Sequence, residues 1–118
     1  MIRGYEDLEV YRESYQLVQR MYEITREYPA EEKYNMISQI RRSAMSIVLN
    51  IAEGYGRKDS AKEFQHFLRN AQGSANETRV LLKLSKDLGY IEESEYENLE
   101  REYEKLSKKL YRLKESWR

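Results

Sequence analysis

The chain has 118 residues, 40% of them hydrophobic and 36% charged, enough for one core and one domain. It has no cysteine, which excludes disulfides, thiolate metal sites and cysteine nucleophiles and leaves an intracellular setting as the plain expectation. Basic and acidic residues both number 21, so there is no chain-wide pull toward nucleic acid; no apolar run approaches the roughly 18 to 20 residues of a membrane helix and M-I-R-G-Y-E-D has no signal-peptide core, so the expected location is the cytoplasm, with no membrane partner.

One proline and five glycines leave long uninterrupted segments, which predicts an all-α chain. The first helix is expected over about residues 7–28, with Leu8, Tyr11, Tyr15, Val18, Tyr22 and Thr25 on one stripe and Val10, Leu17, Met21 and Ile24 on a second. Two stripes imply more than one packed side, and Pro29 stops the helix. The second helix, about 32–53, places Ile37, Ile40, Ala44, Ile47 and Ile51 three and four apart, with Gly54 as its left-handed C-terminal cap. Ser60 and Glu63 form an S-x-x-E capping box for a third helix over about 60–88, whose stripe is Phe64, Leu68, Ala71, Ala75, Thr78 and Leu82. Inside it Gly73 sacrifices about 1 kcal/mol of helix propensity, which a close approach of another helix would offset; a tolerated surface glycine is the alternative. The fourth helix, about 94–117, repeats the capping logic with Ser94 and Glu97 and carries Tyr96, Leu99, Tyr103, Leu106, Leu110, Leu113 and Trp117. Seven glutamates fall between residues 92 and 104 and most of this helix's Lys and Arg come later, an order that complements the helix dipole. Short connections between long helices predict a single up-down-up-down antiparallel four-helix bundle.

Little in the chain reads as catalytic machinery. Glu63 and His66 have the Glu-x-x-His spacing of di-iron bundles, but His66 is the sole histidine, so a metal-binding bundle remains an alternative that one chain cannot complete, and no cofactor is expected. The glycines of G-Y-G-R-K complete neither phosphate-binding fingerprint, and no Ser-His-acid set can be argued, so no enzyme is expected. Most of the eleven tyrosines fall on apolar stripes, which favours packing over base stacking.

Charge is uneven along the chain. Residues 34–58 hold four basic side chains, Arg41, Arg42, Arg57 and Lys58, against one acidic. On the second helix Gln39, Arg42, Ser43, Ser46, Asn50 and Glu53 make a polar stripe opposite the apolar arc. Its short Ser and Asn side chains suit a closely packed helix or subunit contact, with Asn50 and Glu53 expected to bond across it. Arg41 points into the apolar arc and must snorkel or pair.

Y-E-D-L-E-V-Y near the start, Q-I-R-R-S-A from Gln39, N-I-A-E-G-Y-G-R from Asn50, E-F-Q-H-F-L from Glu63, A-Q-G-S from Ala71 and L-G-Y from Leu88 together resemble the bacterial four-helix bundle family whose members include proteins encoded within intervening sequences of 23S ribosomal RNA genes. The resemblance covers residues 5 to about 90, and helix four matches in character only. It implies a ring-like homo-pentamer without established enzymatic activity. Relatives of the fold include the accessory variability protein of diversity-generating retroelements, similar in forming a pentameric barrel that associates with a reverse transcriptase and nucleic acid. Carried onto this chain, the resemblance makes Arg41, Arg42, Arg57 and Lys58 the expected RNA or DNA contacts. Val48 departs from the pattern, standing where the family often has proline.

Overall fold

The apolar stripes become the inner faces of four α-helices in the computed structural model, which describes residues 1–118 and contains no strand. The helices are α1 (Glu9–Thr25), α2 (Ser38–Gly56), α3 (Ala61–Asp87) and α4 (Glu93–Ser116). Ile40, Ala44, Ile47 and Ile51 of α2, Phe64, Leu68, Ala71, Ala75 and Leu82 of α3, and Leu99, Tyr103, Leu106 and Leu110 of α4 are all buried, joined by Val10, Leu17 and Met21 of α1. The tyrosine stripe of α1 is not a second packed side. Tyr11 and Tyr22 are half-buried and Tyr15 is 50% exposed, beside a surface groove shared with α2.

Cross-helix bonds fix the helix directions. Ser43 meets Thr78 and Ser46 meets Ser74, both at 2.8 Å, so numbers fall on α3 as they rise on α2. Arg79 bonds Glu100 and Gln65 bonds the carbonyl of Lys114, giving the same opposition between α3 and α4. Tyr22 with Met45 and Thr25 with Arg41 do so for α1 and α2. The seam between α1 and α4 is largely polar, with Lys109 paired to Glu9 and Glu13 and Arg20 donating to the Asn98 side-chain oxygen at 3.0 Å. No helix is long and apolar enough to cross a membrane.

Several boundaries differ from expectation for local reasons. The first helix ends at Thr25 rather than Tyr28, since Thr25 Oγ1 donates back to the Met21 carbonyl at 2.6 Å and residues 26–28 close as tighter turns ahead of Pro29. The second begins as a 3₁₀ turn (Ala30–Glu32) and a π turn (Lys33–Ile37), because the Glu32 carboxylate accepts from Asn35 Nδ2 and from the Met36 backbone N–H. Gly54 is not a left-handed cap. It lies inside α2, buried, where an added Cβ would sit 2.7 Å from Phe67 Cβ and 3.0 Å from Phe64 Cδ1. Its function is close approach of α2 to α3, the property expected of Gly73; a Cβ on Gly73 would meet nothing within 4 Å, so Gly73 is a surface glycine. Gly89 alone has the left-handed backbone, φ 82°, where the chain turns out of α3. Ser60 caps α3 as expected, its Oγ accepting from the Glu63 N–H at 3.2 Å. Ser94 does not cap α4, which starts one residue earlier with no side-chain cap; Glu93 and Glu95 in the first turn meet the positive end of the dipole instead. α2 runs unbroken through Val48.

Candidate nucleic-acid interface

The turn between α2 and α3 presents Arg57, Lys58 and Lys62, all exposed. Arg57 is shared between two carboxylates, Glu63 at 3.4 Å and Glu53 at 3.9 Å, and its guanidinium lies 5.2 Å from the Phe67 ring. Lys58 has no carboxylate partner; its ammonium rests 4.5 Å over the Tyr55 ring. The end of α4 is fastened beside this turn. Trp117 stands edge-on to Phe64 with ring centres 4.8 Å apart, and its indole N–H donates to the Lys58 carbonyl at 3.3 Å. Gln65 Nε2 donates to the carbonyls of Lys114 at 3.2 Å and Trp117 at 2.6 Å, satisfying acceptors that the helix end leaves without partners. Lys114 and Arg118 thereby join Lys58 and Lys62 at one end of the bundle. Reading by sequence position missed these two; the signal was the run of cations late in helix four, which only its docking against Phe64 brings to the turn.

Arg41 and Arg42 lie elsewhere, toward the other end of α2 and on the order of 25 Å from Arg57 at about 1.5 Å rise per residue. Arg41 neither snorkels freely nor pairs with a carboxylate. Its Nε donates to Thr25 Oγ1 at 2.9 Å and Nη2 to the Tyr22 carbonyl at 3.4 Å, while the guanidinium lies 4.3 Å from the Tyr22 ring centre, so it completes the negative end of α1. Arg42 is paired with Glu77 of α3 and donates to the Gln39 side chain at 3.4 Å. The four basic residues expected together therefore divide into an internal helix cap, an interhelical ion pair and the α2–α3 turn.

The polar stripe divides as well. Ser43 is buried on Thr78, which donates in turn to the Ser74 carbonyl at 2.9 Å, and Ser46 bonds Ser74. Asn50 folds back onto its own helix, donating to the Ser46 carbonyl at 2.8 Å and Oγ at 3.1 Å, and Glu53 reaches only Arg57. The interhelical bonds expected of Asn50 and Glu53 are made by the two serines. Glu63 faces Arg57, and His66 is exposed, 3.4 Å from Asn70 Nδ2; no group of three or more His, Asp or Glu side chains converges as a metal site would require.

The ends of the bundle differ in charge. The α2–α3 turn with the last turn of α4 is rich in Lys and Arg, while the opposite end gathers Glu27, Glu31, Glu32, Asp87, Glu92 and Glu93. There the Tyr90 hydroxyl donates to Glu32 at 2.7 Å, tying the α3–α4 connection to the α1–α2 connection. This bond holds the Glu32 carboxyl below its ordinary range and pushes the Tyr90 phenol up to about 12.

Comparison with known proteins agrees with this architecture. A crystal structure of a protein of unknown function from the S23 ribosomal protein family of Bacteroides thetaiotaomicron VPI-5482 is similar at 29% identity, covering 91% of this chain and 96% of that one, with a TM-score of 0.81. No curated protein matches the chain. The model of the 23S rRNA-intervening sequence protein family matches residues 6–112, and the chain belongs to that family.

Proposed function

We propose that the chain is a non-enzymatic, homo-oligomeric accessory protein that associates with RNA or DNA through the basic end of the bundle, in the ring of five that the resemblance implies. The observation that supports this most is the clustering of Lys58, Lys62, Lys114 and Arg118, none of them in an ion pair, where the Trp117–Phe64 contact anchors α4 against the α2–α3 turn. A neutral chain has no global attraction for phosphate, but a local cation cluster beside the N-terminus of α3 attracts it at short range, and symmetry multiplies the cluster. Arg57 contributes less, being compensated by Glu53 and Glu63.

The test is fluorescence anisotropy of a short labelled single-stranded RNA across a salt series, on the wild-type chain and on Lys58→Glu/Lys114→Glu. Affinity should fall with salt at a log–log slope of about −0.7 per phosphate contact, and the double variant should bind more weakly with a slope shallower by about 1 for each lysine lost. Both positions are surface-facing, so an unchanged circular dichroism spectrum is expected. Binding that ignores both salt and the charge reversal would sink the proposal.

A further inference from the structure

We infer that two apolar faces on opposite sides of the bundle are the two halves of a single head-to-tail interface, the α3 ridge of one copy seating in the α1–α2 groove of the next. This rests on the homo-oligomeric part of the proposal above and names the surfaces that would build it. The groove is walled by Tyr15, Val18 and Tyr22 of α1 and Met45, Val48 and Leu49 of α2. Three of these are too open for ordinary surface positions: Tyr15 is 50%, Met45 39% and Leu49 61% exposed. On the other side of the molecule Val80, Leu84 and Leu88 are 60%, 46% and 55% exposed, spaced four apart, so they form one ridge along α3.

A second copy is the occupant that accounts for both faces at once. A two-fold dimer would bury one apolar face twice and leave the other in water, whereas a head-to-tail contact matches unlike surfaces and covers both. Shape agrees, because a row at four-residue spacing is the form that fits a groove between two helices. Charge agrees too. Lys33 beside the groove has no acidic partner, and the ridge ends just before Glu92, Glu93 and Glu97 of α4, which have no basic one. Level agrees as well: the Ser43–Thr78 bond puts those residues side by side, and Met45 and Val80 each follow within a turn. The step from one copy to the next is then mainly sideways, the condition for a closed ring rather than a filament. A sideways ring keeps the bundles parallel, so every basic end faces the same rim.

Light scattering on three full-length proteins tests this: wild type, Leu49→Glu in the groove and Leu84→Glu on the ridge, with circular dichroism to show that both variants keep the helical fold. Wild type should be a multimer, each variant alone a monomer, and an equimolar mixture should form one-to-one dimers and nothing larger, because the mixture holds a single intact ridge–groove pair per two chains. Variants that each keep the wild-type mass would overturn the assignment of the faces while leaving assembly intact. Two monomeric variants that stay monomeric when mixed would overturn the pairing of groove with ridge. A monomeric wild type would overturn this inference and the homo-oligomeric reading together.

Discussion

Replacing Gly54 by alanine places a methyl group 2.7 Å from Phe67 Cβ and 3.0 Å from Phe64 Cδ1. Carbon atoms pack at about 3.5 to 4.0 Å, so the nearer contact overlaps by on the order of 1 Å. The atom in the way is a Cβ attached directly to the α3 backbone, and no rotamer change moves it; the two helices must separate. Overpacking of this kind costs about 1 to 3 kcal/mol, and the helix propensity gained by losing a glycine returns about 1 kcal/mol, leaving a net loss of about 1 to 2 kcal/mol. Gly73→Ala is the internal control. It gains the same propensity with no atom within 4 Å of the new methyl, so it should stabilise by about 0.5 to 1 kcal/mol. Thermal melts followed by circular dichroism, at one fixed protein concentration because assembly shifts Tm, should place Gly54→Ala several degrees below wild type and Gly73→Ala above it. A Gly54→Ala protein as stable as wild type would refute the claim that this glycine sets the α2–α3 distance.

Two further outcomes follow from buried or bonded tyrosines. The Tyr103 hydroxyl is wholly buried without a partner, and burial alone drives its phenol upward, so Tyr103→Phe should raise stability by about 1 kcal/mol in urea denaturation; a loss would mean the hydroxyl has an acceptor after all. Tyr90 should ionise near 12 against an ordinary value of 10, chiefly because it donates to Glu32, and Glu32→Gln should bring it back down in an ultraviolet titration. Since the folded value is the raised one, the stability this bond contributes is whole below about pH 10 and is lost as the pH climbs through about 12.

The stripes of α2, α3 and α4 were legible in the sequence because they depend only on spacing three and four apart, and a buried helix face follows from that spacing alone. The glycines were not, because a glycine at a helix stop and a glycine at a helix crossing are the same letter. What distinguishes Gly54 from Gly73 is Phe64 and Phe67 on another helix. Arg41 was recognisable as misplaced in an apolar arc, but its partners, the end of α1 and the face of Tyr22, exist only once that helix ends at Thr25. The basic end was half legible. Arg57 and Lys58 stand together in the sequence, while Lys114 and Arg118 arrive through the docking of Trp117, a contact between residues 59 apart.

The π turn at Lys33–Ile37 bears on how the chain tolerates changes in length. A π turn holds one residue more than an α turn, so it is the point where a single-residue deletion can be taken up by tightening the backbone. The same deletion within the Ile40–Ile51 or Leu99–Leu110 stripes would rotate everything after it by about 100°, carrying buried side chains to the surface. Variation in chain length among such bundles is therefore channelled into the connection before α2, leaving the phase of every core stripe untouched.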